Sequence, residues 1–329
     1  MLPRARPAAC FRFTLTSQDP VFKIPTAWNW NTTFQRELPW STTIEIGYVG
    51  RRGIHNQGKR NINQLLPGMV QANPSINPNA LRPFLGLGIL GLAENSGTSR
   101  YNGLQVSLER RFATGLQFGV AYTLAKSTDN GSSLTDVLPN AYDGRDYYGY
   151  SDFDRRHVLV TNYIYELPFK GGATMARRLL GNWEISGVFQ ANSGTPFSIR
   201  RNNDFARVGP GSGNQFYDLI GDPNIETTKF TDSAIWFNKD AFRQPAAGTF
   251  GKQPRNIFRN PGFLTWDMGL RKNFPVTEAQ RLQLRFEVFN VLNHPNWGGA
   301  NADPTSGSFG RVTSKGGERN IQIALKYIF

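Results

Sequence analysis

The sequence predicts an all-β fold, and three observations support this. The 329 residues include 34 glycines and 20 prolines, which is expected where turns are frequent. Segments in which apolar and polar residues alternate recur along the chain, and a period of two is typical of a strand with one apolar face. Short turns between these segments alternate with long polar loops. Together these features predict an antiparallel transmembrane β-barrel, here a partial barrel of about ten strands with long extracellular loops.

The first predicted hairpin lies near the N-terminus. Residues 28–38 (WNWNTTFQREL) alternate strictly, and residues 42–51 return across a tight turn. The returning segment places Ile44, Ile46 and Tyr48 on its apolar face, as expected for a strand with a period of two.

The middle of the chain contains the strongest hairpin. Residues 104–112 and 116–124 alternate on either side of a short turn at 113–115. Residues 53–99 and 128–154 are polar and have no sustained period, so we expect both to be long loops.

Two further pairs of strands follow. Residues 158–167 pair with 183–191, and residues 264–270 pair with 282–288. Between these pairs we expect a long loop at 202–261. Structureless loops of this size are unusual in compact soluble domains, whereas transmembrane barrels carry them on the extracellular side.

The C-terminal segment predicts one more strand, which is the most informative one because its aromatic end would face lipid. We expect its partner strand in residues 308–313. A terminal strand that ends in Phe resembles the assembly signal of bacterial outer-membrane proteins, here Leu325, Tyr327 and Phe329. The alternative is an ordinary edge strand that closes a β-sandwich. The residues that share one face are Ile321, Ile323, Leu325, Tyr327 and Phe329.

Charge and composition argue against several kinds of site. The net charge is +13, but Lys and Arg are scattered rather than clustered, so nucleic acid is not expected as a partner. Cys10 is the single cysteine, and His55, His157 and His294 lie far apart in sequence, so neither a disulfide nor a metal site is predicted. No catalytic motif occurs, and we predict neither enzymatic activity nor a cofactor.

One pair of carboxylates stands out. Asp152 and Asp154 lie two residues apart, next to Arg155 and Arg156. In this arrangement they would flank a cation or a sugar. The alternative is that the charges pair internally at the start of a strand.

A series of short strings resembles the barrel of TonB-dependent receptors. The particular branch is the Oar-like group, whose members carry an N-terminal carboxypeptidase-regulatory-like domain. The strings occur in the same order over residues 19–329, whereas residues 1–18 match nothing and stay unassigned. They are 28–31 (WNWN), 35–38 (QREL), 47–53 (GYVGRRG), 101–105 (YNGLQ), 109–112 (ERRF), 122–127 (YTLAKS), 154–157 (DRRH), 165–169 (YELPF), 193–197 (SGTPF) and 289–294 (FNVLNH).

The resemblance implies a barrel of about twenty-two strands that encloses a plug, with a TonB box ahead of the plug. This sequence contains no counterpart of the plug or the box, and it accounts for only about half of the strands. We therefore expect the C-terminal part of such a receptor, located in the outer membrane of a Gram-negative-type bacterium. The implied partners are outer-membrane lipid, the barrel-assembly machinery, and the TonB complex acting through the absent plug and box.

The expected role is capture of a ligand by the extracellular loops and energised uptake through the lumen. A glycan, a peptide or a chelate would suit aromatic side chains with polar tips. Two alternatives remain open: a soluble or surface-attached β-sandwich that binds carbohydrate or mediates adhesion, and a passive outer-membrane pore. The candidate ligand-binding residues all lie in one tyrosine-rich loop and are Tyr142, Tyr147, Tyr148 and Tyr150.

Overall fold

The computed structural model describes residues 13–169, 180–225 and 234–329. Residues 1–12 of the unassigned N-terminal segment and the connecting residues 170–179 lie outside this part. The regular structure is almost entirely β. The strands in chain order are β1 (Leu15–Gln18), β2 (Thr26–Leu38), β3 (Thr42–Asn61), β4 (Leu90–Ala113), β5 (Leu116–Asp129), β6 (Gly149–Tyr150), β7 (His157–Glu166), β8 (Trp183–Asn192), β9 (Pro196–Phe197), β10 (Arg200–Arg201), β11 (Gln215–Phe216), β12 (Asp218–Leu219), β13 (Ala234–Ile235), β14 (Phe242–Arg243), β15 (Phe258–Arg259), β16 (Phe263–Pro275), β17 (Arg281–Phe289), β18 (Asn296–Trp297), β19 (Arg311–Val312), β20 (Lys315–Gly316) and β21 (Asn320–Ile328).

The helices are single turns. They comprise α1 (Met69–Ala72) and 3-10 turns at Pro78–Leu81, Arg145–Tyr147 and Lys239–Ala241. None of the helices in the described ranges has the length and apolar character needed to cross a bilayer.

One sheet of 11 strands dominates the fold. Its main path is an up-and-down meander in the order β2-β3-β4-β5-β7-β8-β16-β17-β21, and each neighbouring pair is antiparallel. β1 runs parallel to β4, and β6 adds to β5 at the end where the long loops lie. The predicted all-β antiparallel class is confirmed. Within the described residues the sheet is open, with β2 and β21 at its edges.

The connections alternate in length along the meander. β2 and β3 are joined through residues 39–41, β4 and β5 through 114–115, and β16 and β17 through 276–280. Thr114 and Gly115 both have positive φ angles, 51° and 79°. A two-residue turn needs such angles to match the right-handed twist of the two strands that it joins. Because successive connections of a meander lie at opposite ends, these short turns share one end of the sheet, and the long loops share the other.

The predicted hairpins agree with the observed pairs, but two sequence predictions are wrong. Residues 53–99 are not one long loop, since β3 continues to Asn61 and β4 begins at Leu90. These extensions pair through backbone hydrogen bonds and carry no apolar period, so alternation does not reveal them. The residues 308–313 do not pair with the terminal strand either. β21 pairs with β17, whereas Arg311 and Val312 pair with β13.

One face of the sheet is apolar from edge to edge. Directly opposed residues share a face, and the register places Leu270 opposite Phe286, which is opposite Ile323. Ile323 and Leu325 are 69% and 64% exposed, because no second sheet packs over this face within the described ranges. A β-sandwich would bury these side chains, so that alternative does not describe this sheet. We call this surface the outer face.

The opposite face is polar and pairs its own charges. Arg271 forms an ion pair with Glu184 on the neighbouring strand. On the next strand, Gln283 donates a hydrogen bond of 2.9 Å to Asn273 and accepts one of 2.5 Å from Arg285. These side chains satisfy one another across strands, which is what a hydrated lumen requires.

Candidate functional site

The long loops fold into one body with its own hydrophobic core, which we call the loop cap. Phe237 lies at its centre and is only 2% exposed. Its ring centroid lies 5.3 Å from that of Phe309, 5.6 Å from Phe242 and 5.7 Å from Phe258. Ile199 packs in the same cluster and is fully buried. Since these residues come from segments far apart in sequence, the loops hold one another in place.

A buried arginine ties the loop cap to the sheet. Arg255 is fully buried and donates hydrogen bonds to Asp129 at 2.5 Å, to Ser132 at 2.8 Å and to Asp152 at 3.1 Å. Its guanidinium carbon also lies 5.2 Å from the ring centroid of Tyr147. Burial opposes the charge, but the hydrogen bond and charge of Asp129 outweigh it and raise the pKa of Arg255. Removal of either partner would leave an uncompensated buried charge, so the loops around this pair depend on it.

The two carboxylates singled out in the sequence take part in the same network. Asp152 bonds Arg255 and lies 4.0 Å from Arg200, and Asp154 forms an ion pair with Arg259. Internal pairing is therefore the outcome, although the partners are distant arginines rather than the adjacent Arg155 and Arg156. The carboxylates thus anchor the cap through these arginines.

Two of the four candidate tyrosines are packed into the cap. Tyr147 is 5% exposed, stacks on Phe216 with ring centroids 5.6 Å apart, and accepts a hydrogen bond from Arg200. Burial raises the pKa of Tyr147, so it stays a neutral phenol. Tyr150 is half-buried, and Arg259 lies over its ring at 5.1 Å.

The other two tyrosines line a groove open to solvent. Tyr142 and Tyr148 are 49% and 46% exposed. The Tyr142 hydroxyl donates to the backbone oxygen of Gln64 at 2.6 Å, and the Tyr148 hydroxyl lies 2.8 Å from the Thr128 hydroxyl. These bonds hold both rings in the lining of a groove of about 560 Å³, which we call the tyrosine groove. The structure thus separates the four candidates into two buried anchors and two exposed ring faces.

Charged side chains complete the tyrosine groove. Arg60 and Glu94, from the extensions of β3 and β4, form an ion pair at 2.9 Å. Arg145 also lines the groove and binds Asp143 through two nitrogens, at 2.5 and 2.9 Å. The hydrogen bonds from Arg145 lower the pKa of Asp143 to about 2. A ligand here meets two ring faces and two cations whose charges are balanced by carboxylates.

Metal-ligating side chains do not gather in the part of the chain that the structure describes. No group of three His, Cys, Asp or Glu residues there is arranged to hold an ion. His157 instead stacks on Tyr122, with a hydrogen bond of 2.8 Å between them.

Sequence reasoning missed the charged residues of the groove and the arginine of the cap. Arg60 and Glu94 fall in the stretch predicted to be a loop, so their pairing across two strands was not visible. Arg255 forms hydrogen bonds with Asp152 and Asp129, which precede it in the sequence by 103 and 126 positions. The available signal was the group of aspartates in and next to the tyrosine-rich loop, because packed carboxylates need cationic partners from other segments of the chain.

A family model described as "Outer membrane beta barrel domain" matches residues 3–322. No curated protein matches the chain. Among solved structures, the chain is similar to the outer membrane transporter YddB from Escherichia coli, with 12% identity over 96% of this chain and 34% of that chain, and a TM-score of 0.48.

Two receptors are similar to a comparable extent. BauA, the ferric preacinetobactin receptor from Acinetobacter baumannii, has 11% identity over 92% of this chain and 29% of its own, with a TM-score of 0.45. The pyoverdine outer membrane receptor FpvA from Pseudomonas aeruginosa, bound to pyoverdine, has 12% identity over 93% and 30%, with a TM-score of 0.42. The chain spans about a third of the length of these solved structures.

Proposed function

The chain belongs to the outer membrane β-barrel domain family, and on that basis we propose that it is the C-terminal part of a TonB-dependent receptor barrel. The outer membrane is its location, and in this proposal lipid covers the outer face. In the proposed protein the loop cap captures a ligand, which then passes through the lumen with energy from TonB. A plug and a TonB box outside this sequence would supply the coupling, as in the Oar-like group that the sequence resembles.

The observation that carries this proposal is the folded loop cap. All long connections lie at one end of the sheet, and two hydrophobic clusters and the Arg255 network join them to one another. A groove held by such contacts is preorganised, so little entropy is lost when a ligand binds. A passive pore needs no packed cap over its mouth, which is why we favour a receptor.

The tyrosine groove supports the kind of ligand. Tyr142 and Tyr148 present apolar ring faces with polar tips, and Arg60 and Arg145 add donors. We propose a glycan, a peptide or a metal chelate as the ligand, with Tyr142 and Tyr148 in contact with it. In this proposal Tyr147 and Tyr150 act indirectly, by holding the loop that carries the other two.

The terminal strand supports a second partner. Tyr327 and Phe329 lie 6.0 Å apart by ring centroid, and Phe329 is 91% exposed. One edge of β21 is unpaired in the described sheet. We propose that the barrel-assembly machinery binds this edge and reads Leu325, Tyr327 and Phe329, since an added strand gains main-chain hydrogen bonds. The expected result of Phe329→Ala is less folded protein in the outer membrane, measured against Lys326→Ala as the matched control.

Uptake by cells tests the transport proposal. A strain without the gene product that carries this chain is compared with its parent for uptake of labelled oligosaccharides, oligopeptides and ferric chelates. We expect one class to be lost on deletion and also lost in the parent when a protonophore collapses the proton gradient. Uptake that persists under the protonophore would show a passive pore and contradict the proposal.

A matched pair of variants then tests the groove. Tyr142→Ala removes a ring from the tyrosine groove, and we expect uptake of the identified class to fall. Phe153→Ala removes an exposed ring of the same loop that does not line the groove. Equal uptake by the Tyr142 variant and the parent would remove this tyrosine from the proposed site.

A further inference from the structure

The outer face carries a band of cations and aromatic residues at its loop end. The register places Trp28 of β2 opposite Arg52 of β3, and Arg52 opposite Arg100 of β4. One row nearer the centre of the sheet, Lys126 of β5 contributes a third cation next to Asn102. We call this group the cation strip.

The cation strip lies on the lipid-facing side of the sheet and not in the lumen. Side chains two positions apart on a strand share a face. Four positions from Arg52 and Arg100 lie Tyr48 and Leu104, which are opposite each other and begin the apolar rows. Leu124, two positions from Lys126, continues the same row. The strip therefore borders the apolar band at the end where the loops lie.

Two of the cations are placed where they repel each other. Arg52 and Arg100 are directly opposed on neighbouring strands, an arrangement that destabilises a sheet. Neither guanidinium forms an ion pair with a carboxylate within residues 13–169, 180–225 and 234–329. By contrast, Arg271 on the polar face and Arg255 in the cap are both paired. An anion from outside the chain would remove the repulsion.

A groove of about 670 Å³ is built around the two arginines. Trp28, Trp30 and Tyr148 line it together with Arg52 and Arg100, and no acidic side chain does.

One of these aromatic residues is seated against the strand beneath it. A side chain at Gly50 would collide with the indole of Trp30, so the absence of a side chain there lets this ring lie against β3. Aromatic rings beside cations at the border of an apolar band match the chemistry of a lipid head group with its acyl chains below.

We propose that the cation strip binds the phosphorylated head group of an outer-membrane lipid. Arginine forks bind phosphate oxygens through paired charge-assisted hydrogen bonds, and two opposed arginines present two such forks to one anion. The tryptophans pack against the acyl or sugar part of the same molecule. The lipid is favoured over a soluble phosphate because the groove opens on the face that the apolar rows occupy. This groove shares Tyr148 with the tyrosine groove, so the two proposed sites are neighbours, but Arg52 and Arg100 line this groove and not the tyrosine groove.

Binding to purified protein tests the proposal directly. The full chain, extracted in a non-ionic detergent, is titrated with bis-phosphorylated lipid A, with the same lipid after phosphate removal, and with inorganic phosphate. We expect binding of the phosphorylated lipid alone. Replacing both arginines, Arg52→Gln with Arg100→Gln, should weaken it roughly 10- to 100-fold, the range expected when charged hydrogen bonds are lost.

Arg51→Gln is the matched control, since it changes an exposed arginine next to Arg52 that faces the other side of the sheet. It should leave the affinity within about twofold of the parent. Arg52→Lys with Arg100→Lys keeps both charges and should retain most of the binding. Heat-modifiable migration in gels verifies that each variant is folded.

Thermal melting gives a second readout, because the order of the melting temperatures of parent and variant should depend on whether lipid is present. Without lipid, Arg52→Gln should melt at the same temperature as the parent or higher, because the repulsion is gone. With the phosphorylated lipid, only the parent should gain stability. Equal binding of the dephosphorylated lipid, binding of inorganic phosphate as tight as that of the lipid, or equal losses in Arg51→Gln would overturn the proposal.

Discussion

The outer face of the sheet and the loop cap use apolar side chains in opposite ways. On the outer face, Ile323 and Leu325 stand exposed although they form an unbroken apolar row. In the cap, Phe237 and Ile199 are buried although they belong to loops. A soluble β protein shows the reverse, with strands buried and loops exposed.

This difference is explained if different solvents surround the two regions. In the proposed membrane location, lipid replaces water around the apolar strand residues, and neighbouring strands pair their backbone groups with one another. The loops project into water and must build their own core to stay ordered. The same chain therefore folds by two rules, and mutations in the two regions should have different consequences.

Arg255→Ala should produce one of the largest effects, all of it in the cap. It leaves the carboxylate of Asp129, 5% exposed, without its partner, and uncompensated buried charges cost about 3–5 kcal/mol. We expect rapid hydrogen exchange in residues 129–154 while the sheet stays protected. Arg145→Ala, whose side chain is 88% exposed, is the control and should change little. If both variants behave alike, the cap has no buried ionic anchor.

Phe237→Ala should be nearly as damaging. Removing a ring from a closed core costs about 3–5 kcal/mol because a cavity remains. Phe286→Ala removes the same ring from the outer face, where lipid fills the space, so we expect a smaller loss. Melting of the two variants in detergent, with exchange measured in the cap, compares them. Equal losses would mean that the outer face is packed like a protein interior.

Ile323→Arg should show whether lipid or water surrounds the outer face. A charge on the lipid-facing side of a barrel costs about 2–4 kcal/mol near the bilayer centre. Gln322→Arg places the same charge on the polar face, and we expect it to be tolerated. The measurement is the equilibrium stability of each variant folded into lipid bilayers. Equal tolerance of both would contradict a lipid-covered face.

The exposed ion pair of the tyrosine groove should have the smallest effect. The pKa of Asp143 is lowered to about 2, below its ordinary value of about 3.9. Its contribution is therefore complete above the ordinary pKa and is lost as the pH falls towards 2. Asp143 accepts a hydrogen bond from the Arg145 amide at 3.0 Å.

Protection of that amide should fall between about pH 4 and pH 2 in the parent. In Asp143→Ala, which has no side-chain acceptor, it should be low throughout, with no measurable change in melting at pH 7. A parent whose protection is independent of pH over this range would show that the pair does not hold the loop.

Local periodicity was enough to predict the sheet. Strict alternation in 104–112, 116–124 and 264–270 identifies strands, and the short turns between them identify neighbours. The same signal fails for the extensions of β3 and β4. There, bulges next to His55, whose φ is 57°, interrupt the alternation, and backbone bonds together with the Arg60–Glu94 ion pair maintain the pairing.

The loop cap could not be predicted from the sequence, because its contacts join segments that are far apart along the chain. Phe237 packs with Phe197 and Phe309 without any shared period. Arg255 and Asp129 are 126 positions apart, so neither pattern nor spacing connects them. The sequence grouped the four tyrosines in one loop but carried no information on which of their rings are buried.

The most direct measurement of the central claim is a scan of spin-labelled cysteines along β21. In a Cys10→Ser background, single cysteines replace residues 321 to 327, and collisions with oxygen and with a water-soluble nickel complex are compared in bilayers. We predict strict alternation, with odd positions accessible to oxygen in lipid and even positions to nickel in water. Labels at odd positions that are protected from both reagents would show a dry protein interior and contradict the account.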